Sequence, residues 1–389
     1  MSLLNILLAI HYSMDANSGA SGSTMSLGRC YEKLGHDVSF YAVNDIENQK
    51  ISEKLKRAIF TGALGFRIRD LLQKKSIDVI DASTGDIWFW KKFLEPLERS
   101  QRPLIVTRSH GLEHLEHLFY LEEARRKNSP LSWKYPLYRG SLMLWQIGSS
   151  LRAADLVFAL NSQESRYMSE HMGVAPEKIH TFPNGIPESF LGLPYDSQPT
   201  AAKATIKIAQ IGTYIPRKGI HYANPAIIKV LKQYKNVEIT FFGTQCFECQ
   251  SVQQIYNDFP PELHGQVHVV PRYQHDLLPQ LLKGYQIKLF PTSSEGFGKA
   301  LVEAMACGLA PITAAAAGPL DIVTDGHDAI VVPIQDSLAI ENALLRLVSD
   351  PIYLDKLRSN AYQTAQKYSW EEIAKTRLSA YEGAISARH

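Results

Sequence analysis

The sequence predicts an α/β protein of two domains, each a parallel sheet covered by helices on both faces. Three observations carry this. Short, nearly continuous apolar runs alternate with longer amphipathic segments, the pattern of strands buried on both sides. The alternation breaks once, in a stretch rich in proline and glycine, and then restarts. The 389 residues are 45% hydrophobic and 21% charged, an ordinary globular composition with chain enough for more than one core.

The first run, "NILLAI", follows a start with no basic leader and no cleavage site, so it reads as a buried strand and not a signal peptide. "DVSFYAV", "DVIDAS", "PLIVTRS" and "LVFAL" continue the first domain. Helical segments lie between them, such as "STMSLGRCYEKLG", stopped by Gly35. The break is "FPNGIPESFLGLPYDSQPTAAKAT", with Pro183, Pro187, Pro194, Pro199, Gly185 and Gly192, which reads as an interdomain linker. Beyond it "IKIAQIG", "VEITFFG", "VHVV", "IKLFPT", "LAPIT" and "AIVVP" build the second domain. Residues 1–192 and 200–369 are the expected domains. Ligands of such sheets bind beyond the carboxyl ends of the strands, so the site is expected in a cleft between the domains.

Composition excludes several classes. A net charge of +2 gives no polyelectrolyte argument for nucleic acid. No apolar run approaches the roughly eighteen residues of a membrane-spanning helix. Cys30, Cys246, Cys249 and Cys307 include one C-x-x-C, "CFEC", but no second such pair and no histidine pair at finger spacing follow it. Reduced thiols in a cytoplasmic protein are the expectation.

Two turns carry the chemistry. "IGTYIPRKGI" follows the first strand of the second domain: Gly212 lets the chain leave the strand tightly, and Arg217 and Lys218 supply a guanidinium fork and an ammonium for a diphosphate. "SSEGFGKALVEAMACGLAPI" follows the strand "IKLFPT". Glu295 lies in its loop, Gly296 and Gly298 permit close backbone approach, and a helix from about Gly298 to Ala306 offers free N–H groups to an anion. Glu303 projects from that helix and can accept from vicinal hydroxyls such as a ribose offers.

In these motifs the chain resembles the family 4 glycosyltransferases of the GT-B fold, the retaining group that uses nucleotide sugars. The family carries a Glu-x7-Glu motif, here "EGFGKALVE", and a basic pair after the second domain's first strand, here "GTYIPRKG". "PNGI" and the C-terminal "YSWEEIA" also match, and the resemblance runs from the first strand to about Ala384. It implies two Rossmann-like domains facing a cleft, with a closing helix at about 370–389 returning to the first. It implies that Glu303 binds the ribose, Glu295 the donor sugar's hydroxyls, and Arg217 and Lys218 the diphosphate. Backbone N–H groups near Phe297 and Gly298 would face the phosphates or sugar. "TRSHGLEH" resembles the family's histidine-bearing strand end and would put His110 beside the transferred sugar. The family's Gly-Gly pair in the first loop aligns with Ser18 and Gly19, so one glycine is replaced there, within a Gly/Ser-rich "SGASGS".

The implied reaction moves a hexose from a UDP-, GDP- or ADP-sugar to an acceptor hydroxyl with retention, by front-face transfer. No cofactor and no metal are expected: Asp-x-Asp is absent, and cationic side chains with a helix N-terminus can stabilise the leaving group. His110, His114 and His117 do not form an HExxH motif. A nicotinamide oxidoreductase is disfavoured because "GASGST" and "GFGKAL" both miss the G-x-G-x-x-G spacing. A non-catalytic subunit of the same fold and a nucleotide-sugar epimerase remain as alternatives. Residues 50–75, with eight Lys/Arg against two acids, and the basic-aromatic 125–146 suit peripheral docking on the inner face of an anionic membrane. A solvated basic face would give the same pattern.

Overall fold

The computed structural model describes residues 3–15, 18–47, 51–96, 102–126, 131–195 and 205–388. Residues 196–204 of the expected linker, Pro199 among them, lie outside the described residues, as do residues 50 and 127–130 of the basic stretches and His389. The chain divides into two compact units, residues 1–185 with 370–389, and residues 186–369.

The first unit holds a six-stranded sheet of β1 (Asn5–Ile10), β2 (Asp37–Ala42), β3 (Val79–Ser83), β4 (Leu104–Arg108), β5 (Leu156–Ala159) and β6 (Ile179–Thr181), in the order β2-β1-β3-β4-β5-β6. All its pairs are parallel. The helices are α1 (Gly19–Lys33), α2 (Glu53–Leu72), α3 (Trp88–Phe93), α4 (Glu113–Arg125), α5 (Leu142–Ala153) and α6 (Ser162–His171). Alternation along β1 splits its side chains between two cores. Leu7 and Ala9 pack with Phe60, Leu64 and Ile68, an i, i+4, i+8 stripe on α2. Ile6 and Leu8 pack with Leu27 and Tyr31 of α1 and with Ile373, Leu378 and Tyr381 of the C-terminal helix.

Two details differ from the sequence reading. Ile179–Thr181 forms an edge strand although it is short and partly exposed, because its backbone pairs with β5. The Gly/Ser-rich segment around Gly19 is the first turn of α1, not a loop. Ser23 and Thr24 hydroxyls bond back to the carbonyls of Gly19 and Ala20, and Ser21, Gly22, Ser23 and Thr24 are buried.

The second unit holds β7 (Ile206–Ile211), β8 (Val237–Phe242), β9 (Val267–Val270), β10 (Ile287–Phe290), β11 (Ala310–Ala314) and β12 (Ile330–Val332), ordered β12-β11-β10-β7-β8-β9 and all parallel. Its helices are α7 (Ile220–Gln233), α8 (Val252–Tyr256), α9 (Leu278–Leu281), α10 (Lys299–Ala306), α11 (Ala317–Leu320), α12 (Ser337–Ser349) and α13 (Pro351–Ala365); α14 (Trp370–Ser386) belongs to the first unit. Ile208, Ile239, Ile287, Leu289 and Ile312 share a core with Ile227 and Val230 of α7 and Leu344 and Leu347 of α12. Strand order reverses between β7 and β10, and at such a reversal the connections leave to opposite sides and open a crevice at the strands' carboxyl ends.

Candidate functional site

The predicted donor residues of the second unit lie at that reversal. β7 runs into Gly212, at φ +133°, whose N–H donates to Phe242 O at 2.8 Å. A short turn, Pro216–Lys218, follows and ends on Gly219 at φ +77°. A Cβ on Gly219 would stand 1.9 Å from Pro291 O, so only glycine lets this turn lie against the loop after β10. That loop is tied to the turn by backbone and side chain. Ser293 N–H donates to Arg217 O at 2.9 Å, and Arg217 Nη1 donates to Ser294 O at 3.0 Å. Lys218 Nζ donates to Glu295 Oε2 at 2.5 Å. Burial acts to raise the Glu295 pKa, and the charges of Lys218 and Arg217 outweigh it and hold the carboxyl below its usual range. The Glu295 carboxyl is therefore ionised at neutral pH.

The other side of the loop is equally constrained. Gly318 N–H donates to Glu295 O at 3.1 Å, and a Cβ on Gly318 would lie 2.6 Å from the carbonyls of Gly296 and Phe297. The buried Phe297 ring packs on Tyr368, with centroids 5.7 Å apart. Gly298, at φ +103°, caps α10, and its carbonyl accepts from Leu301 N–H and Val302 N–H. The first N–H groups of such a helix have no partner within it and carry its positive dipole end. Glu303, one turn further on, is 3% exposed. Its Oε1 accepts from His275 Nε2 at 2.8 Å and stands 3.5 Å from Lys299 Nζ. Burial, then the Glu303 charge, push the Cys307 thiol up to about 12, so it stays protonated.

His110 and Gly19 belong to the first unit; the other predicted site residues belong to the second. His110 follows β4, with Nε2 3.2 Å from Ser83 Oγ. Loss of hydration and then the Arg108 guanidinium hold its pKa well below the usual value, which keeps the ring neutral. It precedes the helix that carries His114 and His117. Among the described residues, no three His, Cys, Asp or Glu side chains are grouped to hold a metal. The four cysteines are free thiols.

Sequence reading passed over several groups. The first sheet reverses its order between β1 and β3, and there His11 Nδ1 lies 2.9 Å from Asp86 Oδ1. Burial acts to lower the His11 pKa, but the Asp86 carboxylate prevails and raises it. Thr84 donates to Glu113, whose carboxyl is pushed up to about 7 by burial. The available signal was position: His11 directly follows one strand, and Asp86 stands three residues past the end of its neighbour. His275 and Lys288 were also missed, and neither lies in a recognisable motif.

Residues 195–365 match the family model "Glycosyl transferases group 1", and residues 17–190 match "Glycosyltransferase Family 4". D-inositol 3-phosphate glycosyltransferase 1 of Catenulispora acidiphila is 26% identical over 298 residues, 72% of this chain and 69% of that protein. The chain spans less of three further curated relatives, between 24% and 60% of their lengths. Among solved structures, sucrose-phosphate synthase from Thermosynechococcus elongatus matches with a TM-score of 0.75 at 18% identity, over 98% of this chain and 100% of that one. Anabaena HepE in complex with UDP-glucose matches with a TM-score of 0.68 at 17% identity, over 97% and 99%. These structural likenesses show the fold, GT-B.

Proposed function

Because this chain belongs to the family 4, group 1 glycosyltransferases, we propose that it transfers a hexose from a nucleotide-diphosphate sugar to an acceptor hydroxyl with retained anomeric configuration. The observation that carries the reading is the Lys218–Glu295 ion pair across the strand-order reversal, with Arg217 beside it and Glu303 on the following helix. Cations face the diphosphate, Glu303 takes the ribose hydroxyls, and Glu295 takes the sugar. HepE, similar in fold, has been solved with UDP-glucose.

In the proposed step the anomeric C–O bond to the diphosphate breaks as the acceptor oxygen bonds to the same face of that carbon. The acceptor's proton passes to the leaving phosphate oxygen. Lys218, Arg217 and the N-terminus of α10 stabilise the charge gathering on the diphosphate, the part a metal plays elsewhere, and we propose that none is required. His110 serves the transferred sugar as a neutral hydrogen-bonding group.

Calorimetry with UDP, GDP and ADP identifies the base, and NMR of the product gives its anomeric configuration. Inverted product rejects front-face transfer; turnover that is abolished by chelator and restored by magnesium or manganese rejects metal independence. Release of an epimerised donor without acceptor favours the epimerase.

For the acceptor side we propose contact with an anionic membrane. No described helix is long and apolar enough to cross one. In the first unit, however, Trp88, Lys91, Lys92 and Trp145 line a cavity of about 240 Å³, and Phe93 beside them is 57% exposed. Aromatic rings with lysines suit an interface of acyl chains and anionic headgroups. Co-sedimentation with phosphatidylglycerol but not phosphatidylcholine vesicles, weakened by salt, is expected; equal behaviour with both rejects it.

A further inference from the structure

Lys288 stands in the middle of β10 and is fully buried, at 0% exposure. Its Nζ has no hydrogen-bond partner. A lysine is almost never buried in this way unless paired, because an ammonium stripped of water needs an opposite charge or acceptors to replace it. Alternation along β10 sends Ile287 and Leu289 into the apolar core and Lys288 to the opposite face with Phe290. There Lys288 Nζ lies 5.3 Å from the centroid of the Phe290 ring, and Lys218 Nζ lies 5.7 Å from the same centroid. The buried amine thus stands on the strand that runs into the loop carrying Glu295, and it shares an aromatic ring with the proposed diphosphate-binding lysine.

We propose that Lys288 is a reserve cation of the donor site: uncharged in the free protein, it takes up a proton when a nucleoside diphosphate binds. The inference rests on the reading of Arg217, Lys218 and Glu303 as donor-binding residues. The charged groups that act on Lys288 are Lys218, Glu303 and Glu295. Burial, and then repulsion by Lys218, hold its pKa well below the lysine range, and attraction by the two carboxylates only partly offsets them. A diphosphate changes that balance. It engages Lys218 and adds negative charge in a poorly hydrated site, where Coulomb interactions are strong. Protonating Lys288 then stabilises the complex without touching the ligand. The same charge would favour the leaving diphosphate as it gains charge, so Lys288 is a positioning residue for the field, not a catalytic one.

Proton uptake is measured by titrating UDP, GDP and ADP into the protein calorimetrically at about pH 8, in two buffers of different ionisation enthalpy. A terminal phosphate of pKa about 6 is then fully ionised and contributes no proton. Wild type is expected to take up roughly one proton, so its affinity should strengthen by up to about tenfold for each pH unit lowered. Lys288→Met, similar in length and apolar, should bind with little uptake and a nearly flat pH dependence, and its free form should melt at a higher temperature. The variant leaves every other side chain of the site in place, so the difference between the two proteins belongs to Lys288. Binding by wild type with no proton uptake overturns the inference alone, whether or not the variant folds. Undiminished uptake in Lys288→Met does the same. Failure of all three nucleotides to bind overturns the donor-site reading and this inference together.

Discussion

Lys218 and Glu295, 77 residues apart, form an ion pair of 2.5 Å that bridges the turn after β7 and the loop after β10. The contact gives Lys218 two separable roles, partner to a carboxylate and counter-charge to a leaving group. Their energetics differ. A pairing role stabilises the loop before and during reaction, whereas only an interaction that strengthens in the transition state raises kcat.

Lys218→Ala is therefore expected to lower kcat about 100- to 1,000-fold, with a smaller change in donor KM. Glu295→Gln removes the same ion pair from the other side and supplies the control. If pairing is all that Lys218 does, Lys218→Ala costs nothing more in the Glu295→Gln background, whatever Glu295→Gln itself loses at the sugar. If it stabilises the leaving group, most of the fall persists in that background. Steady-state kinetics on the two singles and the double decide between these.

Gly219→Ala is expected to damage the site through the backbone. The left-handed conformation alone costs a non-glycine residue about 1–3 kcal/mol. Here the added Cβ also meets Pro291 O at 1.9 Å, so the turn and the loop after β10 must separate. Gly284, at φ +82° with nothing within 4 Å of a Cβ, isolates the conformational part. Gly219→Ala should destabilise the second unit more than Gly284→Ala does, and it alone should abolish nucleotide binding. Calorimetric melting and nucleotide titration read the two effects. Equal losses would mean that the loops yield to the extra methyl.

The fold was legible because strands buried on both faces must be apolar almost throughout, and eleven such runs were visible. Ile179–Thr181 escaped since an edge strand with exposed side chains needs no apolar run. The start of α1 was hidden for a different reason: Ser and Gly look like loop residues, yet here they are helical, with the Ser23 and Thr24 hydroxyls bonded back to the preceding turn. The glycine-spaced turns around Arg217, Lys218 and Glu295 could be read because tight turns demand local residue types. His275 and Lys288 could not. Their significance lies in partners supplied by other segments, and Lys288 sits within "IKLF", which reads as one more apolar strand.

Glu303→Gln tests the ribose reading. The carboxylate already faces His275 and Lys299, so it is held in place and can accept further bonds without reorganising. A hydrogen bond to a charged group contributes roughly 1.5–3 kcal/mol. Replacing the charge should weaken nucleotide binding by about one to two orders of magnitude while the melting temperature of the free protein changes little. Unaltered affinity by calorimetry would remove Glu303 from the site.

The last prediction concerns what joins the C-terminal helix to the first unit. Asp81, on β3, is fully buried and takes bonds from two elements distant in sequence. Arg108 Nη1 donates to its Oδ1 at 2.5 Å, and the Tyr381 hydroxyl of α14 donates to its Oδ2 at 2.6 Å. Arg108 also donates to Thr24 of α1 at 2.9 Å, so strand, first helix and last helix share one buried network. Removing the carboxylate strands a guanidinium without its counter-ion, which typically destabilises by about 3–5 kcal/mol. Tyr381→Phe deletes that bond and the one its hydroxyl accepts from the Tyr31 hydroxyl at 3.1 Å, and leaves the ion pair, for a loss nearer 1.5–3 kcal/mol. Asp81→Ala should therefore be the more damaging, and Arg108→Met added to it should recover part of the loss by removing the orphaned charge. The assay is unusually selective: all five tryptophans, Trp88, Trp90, Trp133, Trp145 and Trp370, lie in the first unit, so tryptophan fluorescence during urea unfolding follows that unit. A loss below about 1 kcal/mol in Asp81→Ala would mean that Arg108 reaches water, and that the apolar contacts of Ile373 and Leu378 hold α14 without this network.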